Sequence, residues 1–330
     1  MNEKSILITG GTGSFGKQFV KYLVNKYKKI KRLVIYSRDE LKQHEMAQTF
    51  SEEKFPFIRY FIGDVRDYNR LKRAMNGIDI VIHAAALKHV PIAEYNPIEF
   101  IQTNVLGAQN IIEASLDTNV KTVIALSTDK AAAPINLYGA TKLCSDKLFI
   151  AANTYAGKNM KFSVVRYGNV FNSRGSVVPI FLKYKNKDYF PVTEKNMTRF
   201  NITLDEGVKL VDWVHDNAFG GEIFVPKIPS FRITDLAKAI NPKNKIKFIG
   251  MRKGEKIHEE LITASDSYTT YETDKVFINL PDNDKLRISK FKLKYKKFKK
   301  VSSNFSYTSG NNKEFLSIKE LKNLLDNQID

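Results

Sequence analysis

An apolar β-type run, Ser5 to Thr9 (SILIT), leads directly into Gly10-Gly-Thr-Gly-Ser-Phe-Gly16, and this junction limits the fold more than any other stretch of the chain. Gly10 permits a tight turn, Gly13 lets the backbone approach a pyrophosphate, and Gly16 lets the next helix pack closely on the strand. The N-terminus of that helix then faces the phosphates of a bound dinucleotide. A glycine-rich turn is often only a turn. Here it follows a strand, opens a helix and heads a βαβ series, which is the context that gives the pattern meaning.

The series continues through the first half of the chain. β-type runs occur at 5–9, 32–36, 57–63, 78–86, 121–127 and 162–168, with helical stretches near 14–27, 39–50, 67–76, 98–118 and 138–156. Strands separated by helices imply a parallel sheet covered on both faces. Past residue 170 the pattern shortens to helices near 176–186, 205–218 and 233–240 and strands at 222–226 and 245–250. Prolines at 179, 191, 226, 229 and 242 punctuate them. The expectation is an α/β chain: a Rossmann-type doubly wound parallel sheet over 1–170, holding cofactor and catalytic residues, and a smaller mixed α/β substrate lobe over 171–330. Some segments of the lobe are free to return to the sheet.

Composition excludes other classes. Of 330 residues 43% are hydrophobic and 27% charged, ordinary for a globular chain, which excludes disordered and collagenous ones. Cys144 is the single cysteine, so neither a disulfide framework nor a multi-cysteine metal site is available, and the expected location is the reducing cytoplasm. No charged n-region precedes an apolar h-region, and no apolar run is long enough to span a bilayer. The net charge of +18 raises nucleic acid or an anionic membrane as partners. Apart from one concentration of seven lysines at 290–300 (KFKLKYKKFKK), the excess is spread thinly. Alternation of lysine with Phe, Leu and Tyr predicts an amphipathic strand with its lysines in solvent; a polyanion-binding patch is the alternative. Neither a nucleic acid nor a membrane partner is expected, and an anionic small substrate also suits a basic protein.

The second strand ends in Ser37-Arg38, a hydroxyl and a guanidinium where NAD sites place a carboxylate against the ribose. Both suit a 2′-phosphate, so NADP is the expected cofactor; Asp39 reads as a cap for the next helix. Asp64 ends the third strand, where it can accept from an adenine amino group. After His83, to which no chemical role is given, Ala84-Ala-Ala86 lets a cofactor lie against backbone. Ser127-Thr128-Asp129-Lys130 follows the fifth strand, and Tyr138-Gly-Ala-Thr-Lys142 follows that. The Tyr-x-x-x-Lys spacing puts both side chains on one helix face. The expectation is that the lysine ammonium, helped by a positive nicotinamide, lowers the tyrosine pKa, so that a phenolate can take a proton from a substrate hydroxyl.

With Asn104 and the strand Arg166-Tyr-Gly-Asn-Val170, these motifs resemble the extended short-chain dehydrogenase/reductase superfamily. Further motifs narrow the resemblance: Ser37-Arg-Asp-Glu40, Ala84 to Pro91, Ser127 to Ala131, Ser173-Arg-Gly-Ser-Val177, Met197-Thr-Arg-Phe200, Arg252-Lys-Gly-Glu-Lys256 and Tyr307-Thr-Ser-Gly-Asn-Asn312. Together they are similar to the inverting UDP-N-acetylglucosamine 4,6-dehydratases that open pseudaminic acid synthesis for flagellin and surface glycans. The resemblance implies Thr128, Tyr138 and Lys142 as the oxidising set, Asp129 as acid and Lys130 as base and C5 proton source. Lys130 stands where retaining relatives carry glutamate, and a lysine base needs desolvation or nearby cations to lower its pKa. A plain ion pair with Asp129 or with a phosphate is the other reading of Lys130. NADP would rest on Gly10, Thr12, Gly13, Ser14, Phe15, Gly16, Ser37, Arg38, Asp64, Val65, Ala84, Lys88, Ser127, Tyr138, Lys142 and Val170. UDP-N-acetylglucosamine would meet Lys88, Asn169, Ser173, Arg174, Gly175, Ser176, Val177, Arg199, Arg252 and Glu255. The resemblance also implies a homo-oligomer, a dimer or larger ring, built on the helices near 98–118 and 138–156. The alternatives are a retaining dehydratase or a 4-epimerase of a UDP-sugar in capsule or lipopolysaccharide synthesis, and a redox-sensing scaffold without turnover.

Overall fold

A computed structural model describes residues 1–157, 159–173 and 175–327. The chain opens with β1 (Ser5–Thr9), α1 (Ser14–Lys26), β2 (Arg32–Ser37), α2 (Glu40–Thr49), β3 (Ile58–Ile62), α3 (Tyr68–Met75) and β4 (Ile80–His83). Next come α4 (Val90–Tyr95), α5 (Pro97–Phe100), a π-helical turn (Ile101–Leu106), α6 (Gly107–Asp117), β5 (Thr122–Thr128), a 3₁₀ turn (Asp129–Ala131), α7 (Leu137–Ala152) and β6 (Lys161–Tyr167). The second half begins with β7 (Asn169–Val170), α8 (Val177–Tyr184), β8 (Tyr189–Val192), β9 (Thr198–Ile202), α9 (Leu204–Asn217), β10 (Ile223–Pro226), β11 (Ser230–Arg232), α10 (Ile233–Ile240) and β12 (Lys245–Phe248). It ends with β13 (Glu260–Ile262), β14 (Thr270–Glu272), β15 (Val276–Asn279), α11 (Lys285–Lys294), β16 (Lys299–Lys300), β17 (Tyr307–Thr308) and α12 (Ile318–Asp326).

Ten strands form the main sheet in the order β16-β14-β15-β10-β6-β5-β4-β1-β2-β3. From β3 to β10 every pairing is parallel, and β15, β14 and β16 finish that edge antiparallel. All five β1 residues are buried, as an interior parallel strand covered on both faces requires. β1 lies between β2 and β4. The order therefore reverses beside β1, and a crevice opens at the carboxyl ends of these strands, the site doubly wound sheets offer to ligands.

Past residue 170 the chain divides between two places. β10, β15, β14 and β16 extend the main sheet, while β11-β9-β7 and β12-β8 form small sheets of their own. Around the latter lies a second core that includes Phe171, Phe181, Phe190, Phe231, Leu236 and Leu321. α9 belongs to the main sheet: its buried Asp212 accepts from Tyr22 Oη at 2.8 Å and Tyr27 Oη at 2.6 Å and pairs with Lys26 Nζ at 2.5 Å.

The segment 290–300 corrects the sequence reading. Lys290 to Lys294 form the end of a helix, α11, and only Lys299 and Lys300 lie in a strand. Asp284 caps this helix by accepting from Leu286 N and Arg287 N. The side chains that pack inward, Ile288, Phe291 and Tyr295, stand three and four residues apart, a helical spacing that the local lysine alternation hides. Leu293, which a strand would turn inward, is 90% exposed. Phe291 is fully buried, with ring centroids of Phe219 at 4.8 Å and Phe298 at 5.4 Å. Phe291→Ala should cost about 3–5 kcal/mol. Denaturant melts should show the loss, and an unchanged midpoint would mean that α11 is only laid on the surface.

Candidate active site

The glycine turn leaves β1 at the crevice. Gly10 has φ +65°, and a Cβ there would meet Ala85 backbone at 2.9 Å; a Cβ on Gly16 would sit 2.3 Å from Gly11 O. Gly13 is the N-cap of α1 and supplies no side-chain cap, so the first amides of α1 are left for an anion. Gly10, Thr12, Gly13, Ser14, Ser37, Arg38, Asp64, Val65 and Ala84 line one cavity of about 370 Å³. This cradle of bare backbone beside a helix N-terminus fits the diphosphate of a dinucleotide. Thr12 Oγ1 donates to Ser37 Oγ at 3.1 Å, and Gln43 Nε2 reaches Ser37 O at 3.1 Å. Arg38 is half-exposed, its Nη1 3.4 Å from Asp64 Oδ2. Asp39 caps α2, accepting from Lys42 N at 3.0 Å and pairing with Lys42 Nζ. Lys42, which the sequence reading did not single out, lines the same cavity.

A second cavity of about 720 Å³ shares Gly10, Gly13, Ser14 and Ala84 with the first and extends to the small lobe. Phe15, Gly16, Lys88, Ser127, Thr128, Asp129, Lys130, Tyr138, Lys142, Asn169 and Val170 line its sheet side. Ser173, Gly175, Ser176, Val177, Arg199, Arg252 and Glu255 line its lobe side. Ser176 caps α8 without a side-chain hydrogen bond, and this helix start on the wall favours an anion. Arg174 lies outside the described residues. Arg199 is 8% exposed and donates to Thr198 O at 2.7 Å and Ile257 O at 3.1 Å. Arg252 is half-exposed, 4.0 Å from Glu255.

At the end of β5 the charged groups converge. Asp129 is 1% exposed, and its Oδ1 accepts from Thr128 Oγ1 at 3.0 Å and from Lys130 Nζ at 3.1 Å. Lys130 Nζ also lies 3.0 Å from Glu259 Oε1, and Glu259 is 3% exposed. Asp129 Oδ2 and Glu259 Oε2 are buried without a hydrogen-bond partner among the described residues. Burial works against the Lys130 ammonium, yet Asp129 and Glu259 outweigh it and hold the pKa above the ordinary lysine value. This reverses the expectation of a lowered lysine pKa. Asp129 moves the other way from an ordinary carboxylate: burial raises it despite Lys130.

Tyr138 and Lys142 share a face of α7, both buried. Thr128 hydrogen-bonds Tyr138, and burial pushes the phenol up to about 12, with Lys130 pulling it down. Burial also lowers Lys142. The expected depression of Tyr138 by Lys142 is therefore absent in the protein alone; desolvation wins. Around the pair, Asn104 in the π turn donates to Leu87 O and accepts from Leu87 N, both at 2.9 Å, and donates to Thr141 Oγ1 at 3.0 Å. Asp146 accepts from Ser127 Oγ at 2.8 Å and pairs with Arg166 at 3.1 Å. The reading missed Asp146, although its i+4 spacing from Lys142 was visible. It also missed Glu259, which no local pattern marks. Among the described residues no group of three or more His, Cys, Asp and Glu is placed to hold a metal ion, and no helix is long and apolar enough to cross a membrane.

A nucleotide cradle at the reversal of a parallel sheet, with a Tyr/Lys pair on the adjoining helix, defines an extended short-chain dehydrogenase/reductase. The family model described as "Polysaccharide biosynthesis protein" matches residues 6–281, and the chain belongs to that family. It is 54% identical, over 98% of both chains, to a Campylobacter jejuni protein named UDP-N-acetylglucosamine 4,6-dehydratase (inverting). It is 43% identical, over 98% of this chain and 96% of the relative, to a Rickettsia bellii protein named UDP-glucose 4-epimerase. The X-ray structure of Pen from Bacillus thuringiensis superposes with a TM-score of 0.87 at 36% identity, covering 99% of each chain. The resemblance read from the motifs is thus borne out.

Proposed function

We propose that this chain is a UDP-N-acetylglucosamine 4,6-dehydratase that inverts C5, giving UDP-2-acetamido-2,6-dideoxy-β-L-arabino-hex-4-ulose, the first step toward pseudaminic acid. The observation that carries this reading is the ion pair between buried Asp129 and part-buried Lys130 beside Tyr138. Epimerisation at C4 needs Tyr138 and Lys142 alone, whereas elimination needs an acid and a base as well. Likeness to the Rickettsia 4-epimerase favours the rival reading, and the products separate the two. Incubation with UDP-N-acetylglucosamine should give a sugar nucleotide lighter by one water; an isomer of unchanged mass would mean epimerisation.

When bound, NADP would supply hydride acceptance at C4 and hydride return at C6. Tyr138 accepts the C4 hydroxyl proton, and Lys142 together with the cofactor's positive ring offsets the cost of a buried phenolate. The resulting ketone acidifies C5–H. Lys130 and Asp129 then act as one unit. A proton passed from the ammonium to the carboxylate across 3.1 Å yields a neutral amine and a carboxylic acid together. The amine takes the C5 proton; the acid protonates the C6 oxygen, the C6–O bond breaks and water leaves. Burial lowers the cost of this neutral pair, whereas Asp129 and Glu259 draw the proton back to Lys130. The sugar ring then turns over, so that the Lys130 ammonium delivers its proton to the opposite face of C5 and inverts it, and the proton that Tyr138 took from the C4 hydroxyl restores the ammonium. Arg199, Arg252 and the start of α8 hold the diphosphate.

NADP is favoured over NAD by Ser37, Arg38 and Lys42 around the ribose end, with Asp39 engaged as the cap of α2. Arg38→Ala should cost about 1.5–3 kcal/mol in NADP affinity, roughly ten- to a hundredfold, and leave NAD affinity nearly unchanged. Titration of both cofactors checks this, and equal affinities in the parent protein would refute it. The same reading carries a cytoplasmic homo-oligomer built on the α4–α7 side. There Ile92, Tyr95, Ile98 and Leu106 are each more than half exposed, an apolar display fit for a second copy.

A further inference from the structure

Lys130 has a second buried carboxylate beside it, and a remote segment holds that carboxylate in place. Glu259 N donates to Ser309 Oγ at 2.9 Å, and Ser309 N donates to Glu259 O at 2.8 Å. Ser309 Oγ lies 2.7 Å from Thr198 Oγ1, which lies 2.8 Å from His258 Nδ1. β13, which begins at Glu260, pairs with β17. Tyr307 Oη donates to Ile228 O at 2.8 Å and accepts from Ile228 N at 3.0 Å, and Asn312 Nδ2 donates to Ile228 O at 2.8 Å. The motif at 307–312, unassigned by the chemistry above, is therefore a clamp on the backbone of Glu259.

The two carboxylates around Lys130 are not equivalent. Glu259 Oε1 has Lys130 at 3.0 Å and Arg199 Nε at 3.7 Å, two cations, whereas Asp129 has Lys130 and the Thr128 hydroxyl. A buried carboxylate near two cations stays ionised, and the one near a single cation takes the proton first. Burial pushes both carboxyls up. At Glu259 Lys130 and Arg199 more than offset it, and at Asp129 the Glu259 charge adds to it. The other charged or titratable groups facing the cluster are Lys88, Lys256 and Tyr138.

Building on the dehydratase reading, we infer that Glu259, fixed by the 307–312 clamp, is a positioning residue for the elimination step. It is the permanent counter-ion of Lys130, so that Asp129 is the carboxylate that carries the acid proton. The balance is simple. The Lys130 amine gains the C5 proton, and Asp129 gives its proton to the departing C6 oxygen. The C5–H electron pair becomes the C5=C6 bond, and Glu259 neither gains nor loses a proton. When the ammonium re-forms it faces Glu259, not only the Asp129 carboxylate just created. Without that charge the Lys130 amine is a weaker base toward C5–H, and Asp129 loses the neighbouring anion that raises its hold on the acid proton, so base and acid both weaken. C4 oxidation depends on Tyr138 and Lys142 on α7 and is spared.

The test compares the two half-reactions in Glu259→Gln. The parent enzyme is first shown to release the dehydrated sugar nucleotide; if it does not, the dehydratase reading fails, independently of this inference. In the variant, C4 oxidation, seen as reduced-nicotinamide absorbance on mixing with UDP-N-acetylglucosamine, should run within about threefold of the parent. Release of dehydrated product should fall by about 10²–10³ with KM little changed, the size of a lost acid–base contribution. Elimination at the parental rate, or equal loss of oxidation and elimination, would overturn the inference. If the glutamine variant does not fold, Ser309→Ala keeps the carboxylate and loosens the clamp. It should slow elimination about tenfold and spare oxidation, and no difference between the half-reactions would overturn the inference equally.

Discussion

Lys130→Ala should stop release of the 5-inverted 4-keto-6-deoxy sugar while leaving NADP binding intact. On the proposed reading the side chain supplies the base at C5 and the proton that reloads Asp129, so its loss should cost at least the roughly 10²–10⁴ typical of one positioned acid–base group. On the proposed reading the cofactor's phosphates rest on the backbone of the turn from Gly10 to Gly16 and the start of α1, which Lys130 does not form. Titrated NADP affinity should therefore match the parent. Tyr138 and Lys142 remain, so C4 oxidation proceeds and reduced nicotinamide accumulates on the enzyme after mixing with substrate. The variant also leaves Asp129 and Glu259 buried with their shared counter-ion removed. Each then raises the other's proton affinity, and the stability loss should be smaller at low pH than at high pH. Product formed at the parental rate would remove Lys130 from the chemistry and restore the plain ion-pair reading.

Tyr138→Phe should give the opposite pattern. The ring is kept in its buried place on α7 while the hydroxyl goes, so C4 oxidation should slow by about 10²–10⁴ with no reduced nicotinamide accumulating. Substrate affinity should change little, because on the proposed reading the diphosphate is held by the lobe side of the cavity, at Arg252 and the start of α8. Burial holds the parent phenol near 12, so ionisation depends on the bound cofactor's positive ring and the nearby lysines. Single-turnover absorbance measures the step, and an unchanged rate would make Tyr138 a packing residue. The two variants together split the reaction at the C4 ketone.

Much of this was legible because it is local. The glycine turn, the strand–helix alternation and Tyr138/Lys142 are short-range patterns, and the structure places each on the element expected. The segment 290–300 misled because lysines at every second position imitate a strand. The residues that decide the matter, Ile288, Phe291 and Tyr295, overlap only partly with that window and are read only with Asp284 as cap. The return of β10, β14 and β15 to the main sheet carries no mark in the runs themselves, since an edge strand of either sheet has the same apolar alternation.

The site shows the same division. Asp129 and Lys130 are neighbours in sequence and stand at a strand end, so they were visible. Glu259 reaches Lys130 from a segment 129 residues later, ahead of β13, and nothing in its flanking residues distinguishes it from a surface glutamate. The direction of the Lys130 shift was misread for that reason. Burial and cations were weighed, but one of the two carboxylates that decide the sign was out of sight. At Tyr138 the sequence shows the lysine but not the desolvation, which keeps the phenol protonated in the protein alone.

The most direct measurement is an NMR time course of the protein with NADP and UDP-N-acetylglucosamine in D₂O. Lys130 Nζ lies on the wall of an open cavity, its side chain 22% exposed, so its protons exchange with solvent before one is delivered to the sugar. The predicted result is a 4-keto-6-deoxy sugar nucleotide with inverted configuration at C5 and deuterium at that carbon. A product with C5 configuration retained, or a C4 epimer that keeps its C6 hydroxyl, would contradict the account.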